Sequence, residues 1–304
     1  MYNIFANRNR KEDLKENLLL PETYGREFVK KVFQRKDMFL SLIALLLFSI
    51  PALFAPLISP YDPNAIDLIN KNLGPSSGHL LGTDYLGRDL LSRILIGAQT
   101  SLSIAFGVVL ISLFVGISLG CIAGYYGGIV DESISRVTDI FMSFPGVIFA
   151  LAIMGVLGNG IFNLIFALSI VQWANYARVM RAQVLSLKKQ EFILSAITSG
   201  ADDLYIIRKH IVPNAIAPVL VLATIDLGHV ILSIATLSFL GIGLPADVPE
   251  WGAMLSSGKE FMRTAPYQTI FPGLAITFFV VIFSILGDGM RDILDPNHEG
   301  GEMN

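Results

Sequence analysis

Apolar residues gather into six blocks, at 39–58, 102–124, 140–157, 161–177, 215–240 and 269–286, separated by more polar segments. A helix rises 1.5 Å per residue, so about twenty such residues match the ~30 Å hydrocarbon core of a bilayer. Within the blocks Leu, Ile, Phe, Val and Ala run on without the period-two alternation of a membrane β-barrel strand. The pattern predicts an all-α polytopic membrane protein with six transmembrane helices. Pro51, Pro145, Pro218 and Pro272 fall in or beside the blocks, where neighbouring helices can satisfy the carbonyls they free.

Composition supports this reading: 53% of the 304 residues are hydrophobic and 15% charged, against about a quarter charged in soluble domains. The length suits one membrane domain at 39–288, with tails at 1–38 and 289–304, an outer segment at 59–101 and a loop at 178–214. Placing both termini in the cytoplasm puts seventeen of the 22 Lys and Arg residues inside, as positive charges flanking spans require. The long charged stretch before the first block is unlike a cleaved signal, so the first span is expected to stay as an anchor. A net charge of -3, with no basic run interleaved with aromatics, gives no reason to expect a nucleic-acid partner. Cys121 is the single cysteine and lies in an apolar run, which excludes an intrachain disulfide.

In the second block Gly116, Gly120 and Gly124 recur every fourth residue, sharing one helix face that admits a close neighbouring backbone. In the loop at 178–214, Glu191–Thr198 reads as a helix, Gly200 as its stop, and Asp202 or Asp203 as the start of a second helix through Lys209. Pro213 precedes the next span. Phe192, Leu194, Ile197, Leu204, Ile207 and Ile211 are left to pack against something, and an interfacial amphipathic hairpin is the competing reading.

The pattern of Gly200, His210, Pro213 and Asn214 resembles the loop of binding-protein-dependent ABC permeases known by its Glu-Ala-Ala signature. That resemblance implies the type I ABC importer permease fold and a coupling helix seated in an ATPase cleft. The docking residues it implies are Glu191, Leu194, Ser195, Ala196, Gly200, Ala201, Asp202, His210 and Pro213. The triplet aligns with Leu194, Ser195 and Ala196, so the family's acidic residue is missing. The implied partners are a homologous permease, two ATPase subunits carrying ATP and Mg, an extracytoplasmic solute-binding protein and lipid. The implied location is the bacterial cytoplasmic (inner) membrane, and no cofactor is expected on this chain.

Residues 79–102 read HLLGTDYLGRDLLSRILIGAQTSL, with Gly82, Thr83, Asp84, Gly87, Arg88, Asp89 and Arg93 as the distinctive positions. Asp84 with Arg88 and Asp89 with Arg93 stand four apart, so a helix here would carry two acid–base pairs. Gly82 and Gly87 break any longer helix. The segment resembles the second permease subunit of dipeptide, oligopeptide and nickel importers, with Gln99 where Arg is usual, and the ending GDGMRDILDP at 287–296 resembles the same subfamily. The fifth block, LVLATIDLGHVIL, with EWGAM, YDPNAIDL, WANYAR and EFILSA, resembles the nickel branch more than the peptide branch. It implies nickel or a nickel chelate as cargo, with di- or oligopeptides second.

Asp226 and His229 lie near the middle of that block. An aspartate there costs roughly 2.5–3.5 kcal/mol on insertion scales, so it should face a pathway or a partner. At i, i+3 the two side chains share a helix face, giving either a transient nitrogen–oxygen site for nickel or a polar pair that holds two permeases together. His79 and His298 read as surface residues, and Met142, Met154 and Met180 as packing.

No phosphate-binding loop is present. The nearest stretch, GAMLSSGKE at 252–260, has one residue too many between its glycines and Glu260 where Ser or Thr should bind magnesium. Nucleotide chemistry is therefore expected on other chains, and this chain is not expected to be an enzyme. A secondary transporter would favour an inverted repeat and several intramembrane ions. An intramembrane enzyme would need a Ser/His or paired-carboxylate constellation, and the spans show neither.

Overall fold

The computed structural model describes residue 32 and residues 35–294. The remaining tail residues, His298 among them, lie outside the described residues, as do the expectations placed on them. The apolar blocks are helical, giving α1 (Lys36–Leu53), α2 (Ala55–Ile58), α3 (Leu90–Tyr126), α4 (Gly128–Met142), α5 (Gly146–Leu157) and α6 (Ile161–Leu187). They continue as α7 (Glu191–Thr198), α8 (Asp203–Ile206), α9 (Val212–Phe239), α10 (Trp251–Gly258) and α11 (Tyr267–Leu294). Among the described residues there is no strand, only an isolated bridge between Thr83 and Asp89.

By length and apolarity four helices are able to cross a bilayer: α1, α3, the continuous Asp203–Phe239 and α11. The bent pair α4–α5 makes a fifth. The expected six differ by α6, which is long enough at 27 residues but carries Asn163, Gln172, Asn175, Arg178 and Arg181. The third block also departs from expectation, because its helix breaks after Met142 and turns by 86°. Pro145 has no N–H to continue the ladder and disfavours helical geometry at Phe144, so α5 starts afresh on the Pro145 carbonyl.

Close approaches fix the chain directions. Gly107 faces Ile165, Gly116 faces Trp173 and Tyr176, Gly120 faces Ala177 and Met180, and Gly124 faces Val184. Numbers rise together, so α3 and α6 run parallel for ~25 Å at 1.5 Å per residue, and α4–α5 carries the chain back between them. The glycines are needed: a Cβ on Gly116 would lie 2.7 Å from the Trp173 carbonyl oxygen, and one on Gly124 2.7 Å from Val184 Cβ. Gly228 meets Val280 while Gly287 meets Ile225, making α9 and α11 antiparallel. Met38 packs on Gly289 and the Phe48 ring lies 4.2 Å from that of Phe278, making α1 antiparallel to α11. Gly97 faces Trp251, and the Tyr125 hydroxyl donates to Asp203 at 2.7 Å, so α3 opposes α9. Direction therefore alternates through α1, α3, α4–α5, α6, α8–α9 and α11.

The core sits among α3, α6, α9 and α11, with Ile104, Val108, Leu164, Met180, Val219, Ile231 and Phe283 buried in one cluster. Leu46, Leu47, Leu110, Phe114, Phe162 and Leu274 point outward, which is favourable where the surroundings are acyl chains. One end of the bundle carries 178–212 and the other carries 59–93 and 240–266.

Candidate functional site

A cleft of about 330 Å³ opens between α6, α9 and the α4–α5 bend. The turn at Pro145 sets Phe141, Phe144 and Val147 along one wall, and α6 contributes Gln172 and Asn175. From α9 come Asp226, His229 and Ser233, one helical turn apart in series. Asp226 is 4% exposed, whereas the His229 side chain is 65% exposed, and its Nδ1 lies 3.4 Å from Asp226 Oδ1. The other carboxylate oxygen, Oδ2, is buried with no hydrogen-bond partner. The Tyr176 hydroxyl is buried in the same condition and close enough to Asp226 for the two to interact. A buried polar atom left unpaired costs roughly 1–3 kcal/mol, more when charged, so this arrangement is poised to accept a donor or a cation. Among the described residues no group of three or more His, Cys, Asp and Glu comes together; Asp226 and His229 provide one oxygen and one nitrogen.

The second assembly is the α7–α8 hairpin. Glu191 opens α7, and Gly200 at φ +78° closes it, with Gly200 N–H donating to Ile197 O at 3.0 Å and Ala201 N–H to Ala196 O at 3.2 Å. That geometry needs a left-handed residue, which glycine supplies without steric cost. Asp202 then caps α8, its carboxylate accepting from Leu204 N at 3.2 Å. The expected separate second helix is instead continuous with the following span, through a π-helical turn at Ile207–Ile211. The wider turn lets the chain pass Pro213, and the Asn214 side-chain amide donates to the His210 carbonyl at 2.6 Å.

Phe192, Leu194, Ile197 and Leu204 are exposed, with Ser195 and Pro213 also exposed and Ala196, Ala201 and His210 half-buried. Ile207 and Ile211 are not outward: Ile207 is half-buried and Ile211 fully buried, joining Ile193 and Ile206 as inward anchors. Sequence reading missed Ile193, although its place between exposed Phe192 and Leu194 is what an amphipathic turn demands. The hairpin is tied to the bundle by the Tyr125–Asp203 bond, and just before it Lys188, at the end of α6, donates to the Tyr125 carbonyl. Arg181 and Arg178 pair with Asp131 and Asp139, linking α6 to α4 at the same end.

At the opposite end the outer segment is folded in turns before Leu90, with a single 3-10 turn at Leu68–Asn70. Gly82 and Gly87, at φ +84° and +78°, bound a tight turn in which Arg88 Nε donates to Asp84 Oδ2 at 2.7 Å. The expected Asp89–Arg93 pair is not made. Asp89 caps α3 instead, accepting from Ser92 N at 2.8 Å and lying 2.9 Å from His79 Nδ1. Arg93 turns away to Ala246 O and Pro63 O, both at 2.9 Å. Thr83 is buried, its hydroxyl shared with Asn70 O and Leu73 N. His79 is a partly buried linker, not a plain surface residue, its ring 4.8 Å from Tyr61. Glu250, quoted from the sequence only as part of EWGAM, is fully buried and caps α10 through Gly252 N and Ala253 N. On the exposed rim, the Asn70 amide holds the Asp67 carboxyl below the usual carboxylate range.

A helical bundle with alternating direction, an apolar outer surface and a polar cleft is the architecture of a polytopic membrane protein. Residues 116–299 match the family described as binding-protein-dependent transport system inner membrane component, and 23–75 match the N-terminal TM domain of oligopeptide transport permease C. The chain belongs to this family of ABC importer permeases and is a multi-pass inner-membrane protein rather than a catalytic subunit. It is 42% identical over 271 residues to the dipeptide transport system permease protein DppC of Alkalihalophilus pseudofirmus, covering 89% of each chain. It is 42% identical over 258 residues to the nickel transport system permease protein NikC of Escherichia coli, covering 85% of this chain and 93% of that one. It is 44% identical over 280 residues to the glutathione transport system permease protein GsiD of Escherichia coli O6:K15:H31, covering 91% and 92%. A chain of the inward-facing MetNI methionine ABC transporter shares the fold, with a TM-score of 0.54 and 19% identity over 68% of this chain and 98% of that one.

Proposed function

We propose that this permease subunit forms, with a homologous permease, the passage for nickel or a small nickel chelate into the cell. The observation that carries the proposal is the cleft in which an exposed imidazole stands beside a buried carboxylate, a nitrogen–oxygen pair suited to brief contact with that metal. Two ligands hold a divalent ion weakly, as a passage requires. Dipeptides are the second reading, which the similarity to the dipeptide and glutathione permeases favours to the same degree.

In this proposal both termini and the α7–α8 hairpin face the cytoplasm, and each permease presents such a hairpin to one of two ATPase subunits. The exposed Phe192, Leu194, Ile197 and Leu204 form the docking surface. An extracytoplasmic binding protein delivers cargo at the end built from 59–93. The deciding measurement is uptake of radiolabelled nickel and of a dipeptide by the assembled importer. Nickel uptake that falls in His229→Ala and Asp226→Asn, with dipeptides not carried, supports the first reading. Dipeptide uptake with nickel not carried supports the second.

A further inference from the structure

The cleft holds more than the pair just invoked. Asp226 lines the cavity and its buried Oδ2 has no hydrogen-bond partner, while Tyr176, also without a partner, approaches the same carboxylate. Gln172 and Asn175 line the cleft from α6, one turn apart. Phe141 and Phe144 line the opposing α4–α5 side and offer only carbon surface. Among the described residues no third carboxylate, imidazole or thiol joins Asp226 and His229. A bare divalent ion stripped of water would need several more ligands than this, typically six oxygens and nitrogens in total for an octahedral ion. A positive centre already attached to carbon needs fewer: one anionic acceptor, neutral amides, and an apolar wall.

We infer that the cleft is a charge-selecting subsite in which Asp226 receives the positive centre of an organic cargo and Phe141 and Phe144 receive the carbon surface attached to it. Gln172 and Asn175 hydrogen-bond the remaining polar atoms. Tyr176 is a positioning residue whose hydroxyl orients the carboxylate. The inference rests on the reading that the cleft lies on the passage. The shared chemistry is a positive centre carried on an organic frame, and it has two sources: the free α-ammonium of a small peptide, or a metal held through the nitrogen and oxygen atoms of an organic chelator.

The test uses the complete importer in proteoliposomes with its binding protein. Uptake is compared for a dipeptide with a free amine, the same dipeptide N-acetylated, nickel bound by histidine, and nickel as the aquo ion. Asp226→Asn is expected to shrink the preference for the free amine over the acetylated peptide, or for the chelate over the aquo ion, by about tenfold, the scale of one hydrogen bond to a charged group. Which preference shrinks identifies the source. Asp226→Glu should restore part of the preference, and Tyr176→Phe should move it in the same direction as Asp226→Asn by a smaller factor. Selection by the binding protein is common to all variants and cancels in these ratios. ATP hydrolysis stimulated by the binding protein reports that each variant is folded and assembled.

Ser233→Cys treated with a charged thiol reagent separates the two levels. Blocked uptake with an unchanged preference in Asp226→Asn would overturn the charge-selecting subsite while leaving the passage in place. Unblocked uptake, with the cysteine shown to be unreactive because a partner subunit covers it, would overturn the passage reading and the subsite together. Equal or better transport of the aquo ion than of the chelate, with no peptide carried, would also overturn the subsite.

Discussion

A methyl group added at Gly116 has nowhere to go, since Trp173 O, Tyr176 and Ala177 all close on that point, whereas one added at Gly107 meets only Ile165 Cδ1 at 3.5 Å. Gly116→Ala is therefore expected to destabilise the assembled subunit by about 1–3 kcal/mol through overpacking. Gly107→Ala is expected to be neutral or stabilising by up to about 1 kcal/mol, because alanine is the better helix former. Thermal unfolding of the purified complex measures both. The four-residue spacing of Gly116, Gly120 and Gly124 displayed the packing face, but nothing in it named α6 as the partner. The same limit governs the outer segment, where charge spacing found Asp84–Arg88 and misplaced Asp89 and Arg93. Asp84 and Arg88 meet without a helix because Gly82 and Gly87 hold a turn, whereas Asp89 is taken up as the cap of α3 and Arg93 reaches the Ala246 and Pro63 carbonyls. Asp84→Asn strands the Arg88 guanidinium, 5% exposed, without its anion. Breaking a buried pair costs about 3–5 kcal/mol, so the variant should show faster protease cleavage within 59–93 than the wild type.

At the scale of elements, α7 and α8 form a hairpin whose stop and start were legible in Gly200 and Asp202 because caps are local chemistry. Its second half was not legible as part of the span, since the π-turn that lets α8 run into α9 depends on how the chain accommodates Pro213 and on Asn214 reaching back to His210. That continuity joins Leu204 to Asp226 along one helical rod, so the docking proposal predicts a lever in which movement at Leu204 is passed along it. Gly200→Ala tests the lever. A Cβ there meets nothing within 4 Å, so the penalty is backbone alone, about 1–2 kcal/mol for a left-handed residue with a side chain. The expected result is an assembled importer that still hydrolyses ATP but moves less cargo per ATP, read by measuring both rates on one preparation. The bend at Pro145 is the other element-scale lesson. Its block looked continuous because Phe144 and Pro145 are apolar, yet the missing N–H at Pro145 decides the geometry and thereby shapes the cleft. Gln172 drew no expectation from the sequence, and Asn175 and Tyr176 stood there only within WANYAR. Their meaning depended on α9 lying opposite.

For the whole molecule, the alternation of chain direction divides the polar segments between two ends, and this division is what the hydropathy pattern anticipated. The count of apolar crossings was less legible, because α6 turns Gln172 and Asn175 into the cleft and bonds Asn163 to the Leu157 and Gly158 carbonyls, which a helix facing lipid all round would not tolerate. Parallel packing of α3 on α6 forces α4–α5 to return the chain, so residues 190–214 and residues 59–93 must emerge at opposite ends. Cysteines introduced at exposed Ser199 and exposed Ser77 probe this directly, with buried Cys121 as a silent background. The Ser199→Cys chain should react with a membrane-impermeant reagent only in inside-out vesicles, and the Ser77→Cys chain only in intact right-side-out cells. The seventeen-of-22 distribution of Lys and Arg sets the sign of that expectation. Labelling of both positions from the same side would contradict the fold itself. Opposite sides in reversed order would keep the fold but place the hairpin away from cytoplasmic ATPases, removing the physical basis for coupling.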